Sequence, residues 1–225
     1  MKILYQDKKI LIVDKPAGML SHPAKGHREP DLLSELRHPE YSLISRLDYQ
    51  TSGLLLVAKD AESASALNRL ATKNFIKKIY MAVLSGYLPN KEDVLHSWLL
   101  KDELSAIVRL SDHEIPGSVR IVTRYRVLKQ SNGFTLAEIE LETGRTHQIR
   151  AQMAKIGHPV VGDPLYGDKN LNKRNGLFSQ ALVSMKIRFA VDDEKDPFRY
   201  LDDKTFTKDE FPFIYLMEQN RPRKA

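Results

Sequence analysis

The sequence predicts an α+β fold, with short strands and helices interleaved along one chain. The run Leu54-Leu55-Leu56-Val57-Ala58, entered through Gly53 and left through Lys59-Asp60, suits a strand buried on both faces. Ser118 to Leu128 alternates apolar and polar residues, and Ala137, Ile139 and Leu141 do the same after the turn Ser131-Asn132-Gly133, as a long hairpin would. Two further stretches carry apolar residues at helical spacing: Ala64, Leu67, Leu70 and Ala71, then Ile149, Met153 and Ile156.

Taken in order, residues 3–5 and 10–13 read as two strands around a turn at 6–9. Pro16 and Gly18 mark a loop at 14–18, and residues 19–30 carry His22, Pro23, His27 and Pro30 without periodicity. The two histidines have no acid cluster beside them and read as surface residues. Asp31 is placed to cap a short helix to Arg37, and Asp60 a longer one to Thr72. Residues 75–86 read as a strand, with Ile79, Met81 and Val83 on one face and Tyr80, Ala82 and Leu84 on the other. A further pair of strands is expected at 94–100 and 105–110.

On the hairpin, Arg120, Arg124 and Arg126 share a face opposite Glu138, Glu140 and Glu142, so cross-strand ion pairing competes with RNA binding as their role. Thr146 is the expected N-cap of the helix to Ile156, with Gly157 as its stop. Residues 157–167 form a Gly/Pro-punctuated loop that lacks the ending of a phosphate-binding P-loop. Residues 168–176 read as an exposed basic loop, 181–191 as a strand, 192–210 as a solvated charged excursion, 211–220 as a closing helix, and 221–225 as a flexible basic tail.

The chain has 225 residues, enough for a sizeable core in one domain or in one domain of two lobes. No cysteine is present, which excludes disulfides, thiolate catalysis and cysteine-bound zinc. No apolar run is long enough to span a membrane, so a cytoplasmic location is expected. A net charge of +6 favours a polyanionic partner.

Asp48 stands at the head of the Thr51-Ser52-Gly53 turn, close to the apolar run. A carboxylate leaving water there needs a cation or several donors. Arg150, beside the inward stripe of its helix, is the candidate cation, because a guanidinium can meet a carboxylate with two parallel bonds.

Three segments occur in sequence: Arg46-Leu47-Asp48 with Thr51-Ser52-Gly53; Lys78-Ile79-Tyr80; and Gly144-Arg145-Thr146-His147-Gln148-Ile149-Arg150 with Gly157-His158-Pro159 and Gly162-Asp163. Together they closely resemble the RluA-type family of RNA pseudouridine synthases, from about Ile3 to Ala190. The resemblance implies a mixed, largely antiparallel sheet with flanking helices, in two lobes around a central cleft. It implies isomerisation of a uridine within ribosomal or transfer RNA, by a protein needing no metal or organic cofactor. On this resemblance residues 1–225 form a single catalytic domain without the small N-terminal RNA-binding domain of some relatives, and the protein is expected to be a monomer.

Residue by residue, Asp48 matches the family's essential aspartate, which attacks ribose C1′ or stabilises charge there while a C2′ proton leaves. Tyr80 matches the tyrosine that packs against the target base and can serve as the base at C2′. Arg150 matches the basic partner of the aspartate. Arg46 matches the arginine that in some members fills the gap left by the flipped base, and Thr51, Arg145 and His147 fall among the expected RNA contacts. Ser45, Gln152 and Val183 depart from histidines common at those places in the family.

Two other readings compete. A catalytically idle RNA-binding member would lack the intact Asp48, Tyr80 and Arg150. A glycoside hydrolase would need a second carboxylate in a comparable setting, and the sequence offers none.

Overall fold

The computed structural model describes residues 1–23, 29–102, 107–177 and 179–218. The expected tail at 221–225 and part of the 19–30 loop, including His27, lie outside them.

Along the chain run β1 (Lys2–Gln6), β2 (Ile10–Lys15), α1 (Leu32–Leu36), β3 (Ser42–Leu43), β4 (Ser52–Ala58), α2 (Ala61–Thr72) and β5 (Ile76–Ser85). Then come β6 (Glu92–Lys101), β7 (Val108–Ser111), β8 (Val119–Ser131), β9 (Phe134–Leu141), α3 (Gln148–Lys155), α4 (Lys169–Arg174), β10 (Leu182–Phe189) and β11 (Thr205–Thr207), with 3-10 turns at Arg199–Leu201 and Ile214–Met217. The pairing is mostly antiparallel, as expected of this α+β class.

The chain divides into two compact units, Met1–Ile79 with Val183–Asp209, and Tyr80–Leu182 with Glu210–Ala225. In the first, β1, β2, β4 and β10 lie side by side, β3 pairs with β4, and β11 pairs with β10. The β4–β10 pair is parallel, with Ser52 opposite Val183 and Gly53 opposite Ser184. Gly53 has φ +113, and a Cβ there would stand 2.2 Å from the Ser184 carbonyl oxygen, so a side chain is excluded at this crossing. Ser184 in turn donates to the Leu54 carbonyl at 2.9 Å. The residues at 183 and 184 thus clamp the strand that follows Asp48.

The unit's core gathers Ile10, Ile12, Leu54, Leu56, Leu67, Leu70 and Phe189. Asp60 caps α2 by accepting from the Ser63 N–H at 2.7 Å, and Asp31 caps α1 through Ser34 at 2.9 Å. Phe198 and Leu201 are fully buried in the same core, and β11 follows them. The 192–210 stretch is therefore not the solvated excursion its charges suggest. Its apolar minority, Phe198 and Leu201, decides the matter, because two buried large side chains outweigh acids that can stay in water.

In the second unit β9, β8, β6 and β7 form consecutive antiparallel pairs. Asn132 and Gly133 both take positive φ, as a two-residue hairpin turn between twisted strands requires. Arg124 donates to Glu142 at 2.5 Å and Arg126 to Glu138 at 2.8 Å, so ion pairing claims two of the three arginines on this face. The expected basic loop at 168–176 is instead the short helix α4, started by the Asp168 carboxylate accepting from the N–H groups of Asn170 and Leu171. A single aspartate at the right place turned the stretch from loop to helix.

Candidate active site

Asp48 sits in a turn closed by its own carbonyl, which accepts from the Thr51 N–H at 3.0 Å. The neighbouring loop is tied to that turn at several points. Gly18 N–H donates to the Tyr49 carbonyl at 2.9 Å. The buried Ser21 hydroxyl donates to the Leu47 carbonyl at 2.7 Å and accepts the Leu47 N–H at 3.0 Å. One side chain thereby satisfies both backbone groups of the residue preceding Asp48.

Lys15 is the residue that sequence reasoning missed. It is 0% exposed, and its ammonium donates to the carbonyls of Met19 at 2.7 Å, Pro16 at 3.0 Å and Tyr49 at 3.4 Å. Burial pushes its pKa down to about 8, and the negative charge of Asp48 opposes that fall. Within its own unit, then, Asp48 acts on the charge of Lys15. Its place in Lys15-Pro16 at the end of β2 gave only a loop signal in sequence. The cage of backbone carbonyls becomes visible once the 16–22 and 46–49 segments are folded together.

Arg46 is exposed and donates from Nη1 to His22 Nε2 at 3.2 Å, so His22 meets it in an exposed contact. Thr51, expected among RNA contacts, is 2% exposed. Its N–H shapes the Asp48 turn.

The second unit carries Tyr80, Arg145, His147 and Arg150. Tyr80 is 6% exposed on β5, and Arg145 is exposed ahead of α3. Arg150 is 4% exposed and grips the fully buried Asp163, Nε to Oδ2 at 2.6 Å and Nη2 to Oδ1 at 2.9 Å. Asp163 Oδ1 also accepts from the N–H groups of Leu165 and Tyr166, at 2.8 and 3.0 Å. Burial alone would raise the Asp163 pKa, but the Arg150 guanidinium and these two N–H donors hold it below the ordinary carboxylate value. The expectation that Arg150 needs a carboxylate is met inside its own unit by Asp163, which sequence reading had left inside a loop.

The entry to α3 also differs from expectation. Its N-cap is His147, in the left-handed region at φ 56 and ψ 14, with no side-chain cap bond, and not Thr146. The Gln148 side chain does the bonding instead. It accepts from Thr143 Oγ1 at 2.9 Å and the Arg145 N–H at 3.1 Å, and donates to the Val122 carbonyl and Thr123 Oγ1. Gln152, two residues after Arg150, accepts from Thr123 Oγ1 at 2.5 Å and donates to the Leu95 carbonyl at 3.2 Å. Its amide therefore serves to fix α3 against β6 and β8. Ile156, expected to face inward, is 37% exposed.

This geometry defines a mixed α+β protein that holds a carboxylate in a lysine-backed turn in one unit and an ion-paired arginine on a short helix in the other. A family model described as RNA pseudouridylate synthase matches residues 9–155, well over half of the chain. The chain belongs to that family, and to its RluA-type branch.

Among curated relatives it is 36% identical over 180 residues to a protein named ribosomal large subunit pseudouridine synthase D from Pseudomonas aeruginosa, covering 75% of this chain and 54% of the relative. It is 36% identical over 188 residues to a Bacillus subtilis protein named uncharacterized RNA pseudouridine synthase YlyB, covering 78% and 61% respectively. The chain thus spans about half to three fifths of the length of these relatives. Its fold resembles the solved human RNA Pseudouridylate Synthase Domain Containing 1, with a TM-score of 0.72 at 24% identity, over 91% of this chain and 88% of that one. No helix of the described residues is long and apolar enough to cross a membrane.

Proposed function

We propose that the protein isomerises uridine to pseudouridine in RNA, with large-subunit ribosomal RNA as the leading substrate class. Family membership supports the reaction, and the names of the curated relatives support the substrate. The observation that carries the reading is the turn at Asp48, braced by Ser21 on one side and backed by the buried Lys15 ammonium on the other.

In the proposed reaction the bond from uracil N1 to ribose C1′ breaks, the base turns, and a bond from C5 to C1′ forms. The C5 proton is lost and N1 gains one, so the product is an isomer of the substrate. Asp48 attacks C1′ or stabilises charge there, and Tyr80 packs on the base and serves C2′. Arg150, anchored on Asp163, is the third residue assigned to the reaction. Arg46, oriented by His22, takes the space of the flipped nucleotide. Arg145 and His147 contact the RNA. Flipping costs a few kcal/mol, which stacking on an aromatic ring and a guanidinium offsets. The protein acts as a monomer, in the cytoplasm, without a metal or organic cofactor.

The test is conversion of uridine-labelled ribosomal RNA by the purified protein. Asp48→Ala should abolish pseudouridine while RNA binding stays within about threefold of wild type, a change of less than 1 kcal/mol. Binding without product from the wild-type protein would favour an idle RNA-binding member instead. Release of free uracil would point to a hydrolase.

A further inference from the structure

Tyr166 touches each part of the Arg150 anchor. Its N–H donates at 3.0 Å to the same Asp163 Oδ1 that accepts from Arg150 Nη2. The Arg150 guanidinium carbon lies 5.2 Å from the centre of its ring, within cation–π range. Its hydroxyl accepts the Val108 N–H at 2.8 Å and stands 3.2 Å from His147 Nδ1. The two rings meet edge to face, with centroids 5.7 Å apart at 81°.

A phenol oxygen that accepts from Val108 can still donate, and we take the direction in which the hydroxyl gives its hydrogen to His147 Nδ1. A neutral His147 in that state carries its own proton on Nε2. Meanwhile the His147 backbone is in the left-handed region, which non-glycine residues hold only where surrounding contacts enforce it. Tyr166 is such a contact.

We propose that Tyr166 is a positioning residue: its ring braces the Arg150 guanidinium and its hydroxyl sets His147 as an Nε2–H donor toward an acceptor oxygen of the RNA. The functional half of this inference rests on the proposed reaction, while the tautomer does not. The competing role is plain core filling, since Tyr166 also packs against the cluster of Leu99, Val108, Ile121 and Ala151.

Tyr166→Phe keeps the ring and removes the hydroxyl; Tyr166→Leu removes both. Nitrogen-15 spectra of the histidine rings should show His147 protonated at Nε2 in wild type and a mixture of tautomers in Tyr166→Phe. Under the proposed reaction, Tyr166→Phe should raise KM for RNA roughly fivefold while kcat falls less than about twofold. Tyr166→Leu should lower kcat roughly tenfold as well, because Arg150 loses its brace. Combining Tyr166→Phe with His147→Ala should add nothing to the KM effect of His147→Ala alone. An unchanged His147 tautomer in Tyr166→Phe would overturn the proposal, and so would full additivity of the two substitutions. A wild-type protein that forms no pseudouridine would instead remove the proposed reaction, and the ring spectra would still decide the role of Tyr166.

Discussion

Arg150 holds Asp163 through two nearly parallel hydrogen bonds, with both side chains almost out of water. Removing the arginine leaves a carboxylate buried without its main cation. Arg150→Ala should therefore destabilise folding by about 3–5 kcal/mol, whereas the exposed Arg174→Ala should change it by less than about 0.5 kcal/mol. Urea denaturation of both variants checks this, and equal effects would count against the anchor. Replacing both partners, as Arg150→Met with Asp163→Leu, should recover only part of the stability, because the Leu165 and Tyr166 N–H groups lose the Asp163 acceptor, and should not restore activity.

The same pair sets an acid limit. Asp163 has a folded pKa below its ordinary 3.8, so its contribution is intact above 3.8 and is lost as pH falls through the lower folded value. Stability curves below pH 3.8 should be flatter in the doubly apolar variant than in wild type.

Lys15 works in the opposite direction. Its folded pKa of about 8 lies below the ordinary 10.5, so the folded state binds fewer protons than the unfolded state between those values. Its burial penalty is greatest below pH 8 and is relieved as pH rises toward 10.5. Lys15→Met should abolish this rise in stability, measurable by denaturant titration across that range. If the positive charge supports Asp48, wild-type activity should also decline as Lys15 loses its proton near pH 8.

Asp48→Asn should lower the Lys15 pKa further, because the aspartate charge is what opposes the effect of burial. Titrating the lysine by NMR in both proteins provides the measurement. An unchanged value would mean that the two groups do not share a field.

At Gly53, alanine would bring a Cβ to 2.2 Å from the Ser184 carbonyl oxygen in a backbone conformation that L residues rarely adopt. Gly53→Ala should cost about 3 kcal/mol or more and abolish activity. Gly133→Ala, with nothing within 4 Å of its Cβ, should cost only about 1–2 kcal/mol from its positive φ. Thermal unfolding of the two variants distinguishes them.

What the sequence revealed was local. Asp60 and Asp31 announced their helices because a cap bonds within three residues, and Asn132-Gly133 announced the hairpin for the same reason. The buried run at 54–58 was legible because neither face of β4 has a polar residue from Leu54 onward. Lys15 and Asp163 were not legible. The carbonyls around Lys15 include one 34 residues away, and Asp163 meets an arginine 13 residues back across a loop. His147 was passed over for Thr146 because a threonine cap is the better local bet; the chain takes the strained residue, with Tyr166 braced against it. Phe198 and Leu201 were masked by the acids around them.

The parallel pairing of β4 with β10 joins stretches more than a hundred residues apart, and residues 80–182 of the second unit lie between them in sequence. On a ribosome, residues 80–182 emerge while the sheet that carries Asp48 still lacks one of its members. Nascent-chain folding should thus begin within residues 80–182, while the first unit is completed only once Val183 to Thr207 has left the exit tunnel, and the second unit gains its own segment from Glu210 onward after that. The strand that follows Asp48 would then be clamped only after the residues at 183 and 184 have been made.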